Sequence, residues 1–125
     1  MLITSDFQRF ALDTDTFAII DNRQGGKVYH DYSDDYYAKN YIRWCVENCP
    51  QRLQEWCDKG YIYGHIMEKV DECVAEQNKI WKHLIDTDEE YLQAVENSDT
   101  TKVWQLENTF ELEAKQTVLD TVVFR

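Results

Sequence analysis

Three histidines and four cysteines are the residues best suited to nucleophilic, general-base or metal chemistry, and their spacing organises none of it. His65 and His83 stand five helical turns apart in a segment of helical period, about 27 Å along an axis, and cannot share a site. With His30, they read as surface or satisfied core residues. Cys45 and Cys49 form a Cys-x3-Cys pair, but Cys57 and Cys73 do not repeat it, and the paired spacing of a zinc site is missing. In a reducing cytosol such thiols read as small buried hydrophobes. No trio of nucleophile, base and oxyanion donor emerges, so the expectation is a protein that is not an enzyme and has no cofactor and no metal site.

Carboxylates and tyrosines are the other chemically expressive residues, and their chemistry is that of binding. Between positions 86 and 114 stand Asp86, Asp88, Glu89, Glu90, Glu96, Asp99, Glu107, Glu111 and Glu113 against a single base, Lys102. A second cluster, Asp31, Tyr32, Ser33, Asp34, Asp35, Tyr36 and Tyr37, mixes acids with aromatics. Carboxylates spaced along helices can replace phosphates in a basic channel, and tyrosines supply rigid contact area. The net charge of −11 opposes direct binding of nucleic acid, whose phosphates demand cations, and favours basic partners. Arg43, Arg52, Lys59, Lys69, Lys79 and Lys82 are scattered and form no recognition stripe.

The element that must position these residues runs from Tyr61 to Ile85. Ile62, Ile66, Val70, Cys73, Val74, Ile80, Trp81 and Leu84 recur at spacings of three and four, interrupted where Gln77 takes the seam, which predicts an amphipathic helix. Ahead of it, Pro50 opens a second helix to Asp58, with Leu53, Trp56 and Cys57 inward and Gly60 closing it in a left-handed conformation. A further helix carries Tyr37, Tyr41, Trp44, Cys45 and Asn48 on one face, with Ser33 as its cap and Asp34 and Asp35 in its first turn. Residues 17–32 predict a β-hairpin turning at Gly25-Gly26, where no Lys-Ser or Lys-Thr follows to make a phosphate cradle. Residues 1–16, with Phe7, Phe10, Ala11 and Leu12, fit a short helix or a strand. After Ile85 come a short acidic helix, capped by Asp86 or Thr87, and a last helix from Thr100 or Thr101, whose β-branched end TVLDTVVF fits a strand as well.

The expected fold is mainly α (α+β): one domain over 1–125, a small N-terminal β-hairpin packed on about four to five helices. The start MLITSDFQRF lacks a signal peptide's basic leader and apolar run, and no membrane-length apolar span occurs, so a cytoplasmic protein without membrane contact is expected.

Two segments carry a resemblance. Ile42-Arg43-Trp44, Glu47, Pro50, Gly60 and Ile62 resemble the stretch that in the transposon-encoded TnpV family reads Leu-Arg-Tyr, Glu, a helix-starting Pro, then Gly two before Leu. Asn108, Phe110, Ala114, Gln116, Val118, Asp120, Val122 and Phe124 fall where that family places Asn, Ile, Ala, Glu, a β-branched residue, an acid, Leu and an aromatic. The likeness covers about residues 40–124; the family follows its Gly with Lys-Leu, whereas here Lys59 precedes Gly60 and Tyr61 follows. It implies a helical scaffold and a bacterial mobile genetic element, whose genes typically aid transfer or disarm host defence.

Together with the acids, this setting suggests an anti-CRISPR-like inhibitor, a DNA mimic that binds and blocks a basic nucleic-acid-binding surface of a host protein such as a CRISPR effector nuclease. Its partner-binding residues would be Asp31, Tyr32, Asp34, Asp35, Tyr36, Asp86, Asp88, Glu89, Glu90, Glu96, Asp99, Glu107 and Glu111. The alternative is an accessory factor for transposon excision or transfer that binds DNA or a recombinase. Exposed aromatics would also allow a homodimer.

Overall fold

The computed structural model describes residues 1–4 and 8–124. It is mainly α, with five α-helices and a small N-terminal four-stranded antiparallel sheet. Contacts group into two compact units, Met1–Asp71 with Phe124 and Glu72–Val123. None of the helices among the described residues is long and apolar enough to cross a membrane.

The first unit begins with a meander in the order β1 (Leu2–Ile3), β2 (Phe10–Asp13), β3 (Ala18–Asp21) and β4 (Lys27–Asp31). The N-terminal segment, which fitted helix or strand, is β: Leu2 pairs with Asp13 and Ile3 with Leu12. Phe7 lies outside the described residues. The expected hairpin is β3–β4, and Gly25 and Gly26 turn it at φ 69° and 82°, a region that costs glycine nothing. At the turn's start the Asp21 carboxylate is buried, accepts the Arg23 N–H at 3.0 Å and lies 3.4 Å from the Arg9 guanidinium. Strands β2 and β3 supply buried Phe10, Ala11, Leu12, Ala18 and Ile19, while β4 is a mostly exposed edge.

Helices α1 (Tyr36–Asn48), α2 (Pro50–Lys59) and the start of α3 (Ile62–Thr87) complete this unit. Pro50 occupies the first turn of α2, where its missing N–H costs nothing, and Gly60 closes the helix at φ 76°. The inward faces bury Ile42, Cys45, Leu53, Cys57, Ile62 and Ile66 completely, and each large aliphatic side chain among them stabilises the fold by about 2 kcal/mol. Asp35, rather than Ser33, caps α1, accepting the Ala38 N–H at 3.0 Å. Neither Asp34 nor Asp35 is therefore in the helix's first turn. Asn48, placed on the inward face by spacing, is exposed at the helix end.

The second unit holds the rest of α3, α4 (Glu89–Glu96) and α5 (Thr100–Val118). The side chains of Asp88 and Asp99 cap α4 and α5; Asp88 lies one to two residues after the cap expected at Asp86 or Thr87, while α5 begins at Thr100, one of the two expected starts. Tyr91, Ala94, Phe110, Ala114 and Val118 are buried. The β-branched tail stays helical but widens into a π-helical turn over Leu119–Val123, which buries Leu119, Val122 and Val123. The apolar stripe of α3 is buried through Cys73; beyond it Val74 is exposed and Ile80, Trp81 and Leu84 are half-buried.

Candidate interaction surfaces

In the second unit the carboxylates do not form one face. Glu111 and Glu113 are two positions apart on α5, about 200° around the helix, and lie on opposite flanks of its buried stripe. Several acids have structural work. Asp88 accepts the Tyr91 N–H at 2.8 Å and Asp99 the Lys102 N–H at 3.2 Å, so both hold helix starts. Glu90 pairs with Lys102 at 3.0 Å, and Glu111 with Lys115 at 3.5 Å. Glu107 accepts the Tyr91 hydroxyl at 2.8 Å, and that bond holds the phenol's pKa above its ordinary value. Asp86 is exposed in the last turn of α3, where a negative charge opposes the helix dipole. Glu89 and Glu96, two turns apart, share the outer face of α4.

What the fold does assemble is an open groove of about 400 Å³ between α3 and α5. Asn78 and Trp81, at i and i+3, line it from α3; Trp104, Glu107, Asn108 and Glu111, at i, i+3, i+4 and i+7, line it from α5. Two of the expected partner-binding acids thus stand a single turn apart beside two indole rings. Trp104 is 65% exposed, an unusual solvation state for so large an apolar side chain. Carboxylate oxygens beside indole faces suit a cation: the ring quadrupole attracts a guanidinium or ammonium while the carboxylates accept its hydrogen bonds.

Spacing alone does not mark the two tryptophans: Trp81 falls on the apolar seam of α3, and Trp104 falls outside the period of Val103, Leu106 and Phe110. The signal was the polar-aromatic period beside the apolar stripe, with Gln77 interrupting the seam; Gln77 also lines the groove.

In the first unit the Asp31–Tyr37 cluster is dispersed. Tyr32 is fully buried and offers no surface to a partner, a correction to its expected role, because β4 ends by turning this side chain into the core, its N–H donating to the Phe17 carbonyl at 2.8 Å. Tyr37 is also buried. Asp31 is exposed but accepts the Ser33 N–H at 2.8 Å, which holds its carboxyl below the usual range. Asp35 is the α1 cap, leaving Asp34 and Tyr36 exposed, the latter with its ring 5.4 Å from that of Tyr37.

Burial pushes the Cys45 and Cys57 thiols up to about 12, which keeps them protonated and unreactive at neutral pH. Among the described residues no group of three or more His, Cys, Asp or Glu is placed to hold a metal ion. Comparison with known protein families, with curated protein sequences and with solved structures finds no match.

Proposed function

We propose that this protein binds a basic surface of another protein through the α3–α5 groove, with Trp104 as the anchoring side chain and Glu107 and Glu111 meeting the partner's cations. The observation that carries the reading is the pairing of those two carboxylates with Trp81 and Trp104 in one groove. Tryptophan is over-represented among the residues that dominate interface energies, and an exposed one flanked by acids matches an anchor rimmed by charge. The net charge of −11 adds long-range attraction to a cationic partner. The expected occupant is a nucleic-acid-binding surface, whose lysines and arginines would otherwise meet phosphates. In the mobile-element setting implied by the resemblance, the finer reading is an anti-CRISPR-like inhibitor that displaces DNA from an effector nuclease.

The test is competition between this protein and a labelled DNA duplex for a purified CRISPR effector nuclease, at low and moderate salt. Release of DNA that weakens as salt rises, and that is lost in Trp104→Ala, is the expected result. Undiminished release by Trp104→Ala would remove the groove from the reading. Retention of DNA by the nuclease at every protein concentration would remove the inhibitor.

A further inference from the structure

A second groove, within the first unit, is built by an irregularity of the sheet. Ile19 pairs with His30 and Ile20 with Val28, so Tyr29 is an extra residue in β4. Consecutive side chains of a regular strand point to opposite faces. Here the bulge brings both to one side: the rings of Tyr29 and His30 lie 5.5 and 5.2 Å from that of Tyr63. Tyr29 and Tyr63, with Tyr61 just before α3 and Gly64 and Glu68 three and seven residues after Tyr61 along the helix, line an open groove of about 420 Å³.

Gly64 is the residue that points to a ligand. It is helical, has no positive φ, and a Cβ added there meets nothing within 4 Å. Neither backbone conformation nor packing calls for glycine, although glycine in a helix is less favourable than alanine. The remaining physical use of a bare Cα is to let another chain approach the backbone closely.

Charge selects the ligand. Arg9, at the rim, is already committed: its guanidinium lies 4.7 Å from the Phe10 ring centroid, 5.8 Å from that of Tyr29, and beside the buried Asp21. Glu68 is exposed and has no ion pair among the described residues. The uncommitted charge of a tyrosine-walled groove is therefore negative. A nucleic-acid strand would need several free cations here. A guanidinium suits the site better than an ammonium, because it stacks flat on a phenol ring and presents paired donors to one carboxylate.

We propose that this groove receives an arginine side chain from an extended peptide segment of a partner protein, the guanidinium lying against the Tyr61 and Tyr63 rings, away from Arg9, and paired with Glu68, and the peptide backbone crossing Gly64. This site lies wholly in the first unit and does not depend on the α3–α5 groove.

The experiment titrates a capped Gly-Arg-Gly peptide into the full chain and follows amide signals by NMR. Saturable shifts at Gly60 and Gly64 are expected, with none from capped Gly-Gln-Gly. Glu68→Gln should weaken binding about tenfold, the loss of one charge-assisted contact. Gly64→Ala should raise the melting temperature by a few degrees and yet weaken the peptide, a combination that damage to the fold would not produce. Trp104→Ala should leave these shifts unchanged, so the two grooves fail or stand separately. Equal shifts from the glutamine peptide, tighter binding of capped Gly-Pro-Gly, or full affinity in Gly64→Ala would overturn the proposal.

Discussion

Tyr32 has no exposed surface and its hydroxyl has no hydrogen-bond partner among the described residues, whereas its ring packs 4.4 Å from the imidazole of His30. Tyr32→Phe keeps the ring and deletes only the stranded oxygen. A buried, unsatisfied polar group costs about 1–3 kcal/mol, of which an isosteric replacement should recover about 1 kcal/mol. With an unfolding entropy of about 2.1 cal/mol/K per residue, that gain raises the melting temperature by roughly 4 °C for a chain of this length. Thermal and urea unfolding by circular dichroism, with an unchanged urea slope, measures it. An alkaline titration supplies an independent check. Burial holds the Tyr32 phenol well above its ordinary pKa, with Tyr63, Asp35 and Tyr29 adding to the shift. A raised folded-state pKa contributes stability that is complete below the unfolded value near 10 and is lost as pH rises from there. The wild-type chain should therefore lose stability above about pH 10, and Tyr32→Phe should lose less. A variant less stable by 1 kcal/mol or more would show that the hydroxyl is hydrogen-bonded in solution, most simply to an internal water, and would refute the reasoning.

The acids and the thiols give further expectations. Glu89→Lys opposes the α4 dipole at its first turn while Glu96→Lys favours it at the last, so the pair should leave stability within about 0.5 kcal/mol and should weaken a basic partner more at low salt than at high, measured by titration calorimetry. Asp88→Ala should instead cost about 1 kcal/mol in urea unfolding through loss of the α4 cap; a neutral result would show that the Tyr91 N–H has another acceptor. Glu107→Gln should lose about 1 kcal/mol with its charge-assisted bond to Tyr91, so Glu111→Gln is the cleaner probe of groove charge. Against a thiol reagent at neutral pH the native chain should show one fast cysteine, Cys49, because Cys45, Cys57 and Cys73 are buried; fast labelling of Cys45 or Cys57 would mean that the α1–α2 corner opens readily.

Local chemistry made much of the fold legible. Pro50 and Gly60 bounded α2 because one lacks an N–H and the other tolerates φ 76°. Gly25-Gly26 located the hairpin, and the period of Ile62, Ile66 and Val70 located the buried start of α3. Caps were displaced because aspartate and serine compete for the same N–H groups: in YSDDY either acid or the hydroxyl can cap, and geometry at the end of β4 selects Asp35. Strands of two to four residues, such as β1 and β2, are too short to show a period, and only pairing defines them. The bulge at Tyr29 has no sequence mark in KVYHD, because it arises from the register between β3 and β4.

The site was less legible for a related reason. An acid's role depends on what its neighbours across the fold demand, and spacing along one helix does not report that. Glu107 and Glu113 look alike in the sequence, yet Glu107 faces Tyr91 and the tryptophan groove while Glu113 faces away. Helix starts already engage a carboxylate oxygen of Asp35, Asp88 and Asp99, and burial removes Tyr32 from the surface. The residues that gained are those whose exposure is unfavourable for the isolated chain. Trp104 leaves an indole largely in water, where its burial contributes little to folding, and a helical Gly64 with open space above it lowers stability relative to alanine. A smaller polar residue at 104 and alanine at 64 would fit the same backbone. Trp104 and Gly64 both stand in grooves that place a carboxylate beside aromatic rings, the combination on which the proposed binding of cationic side chains rests.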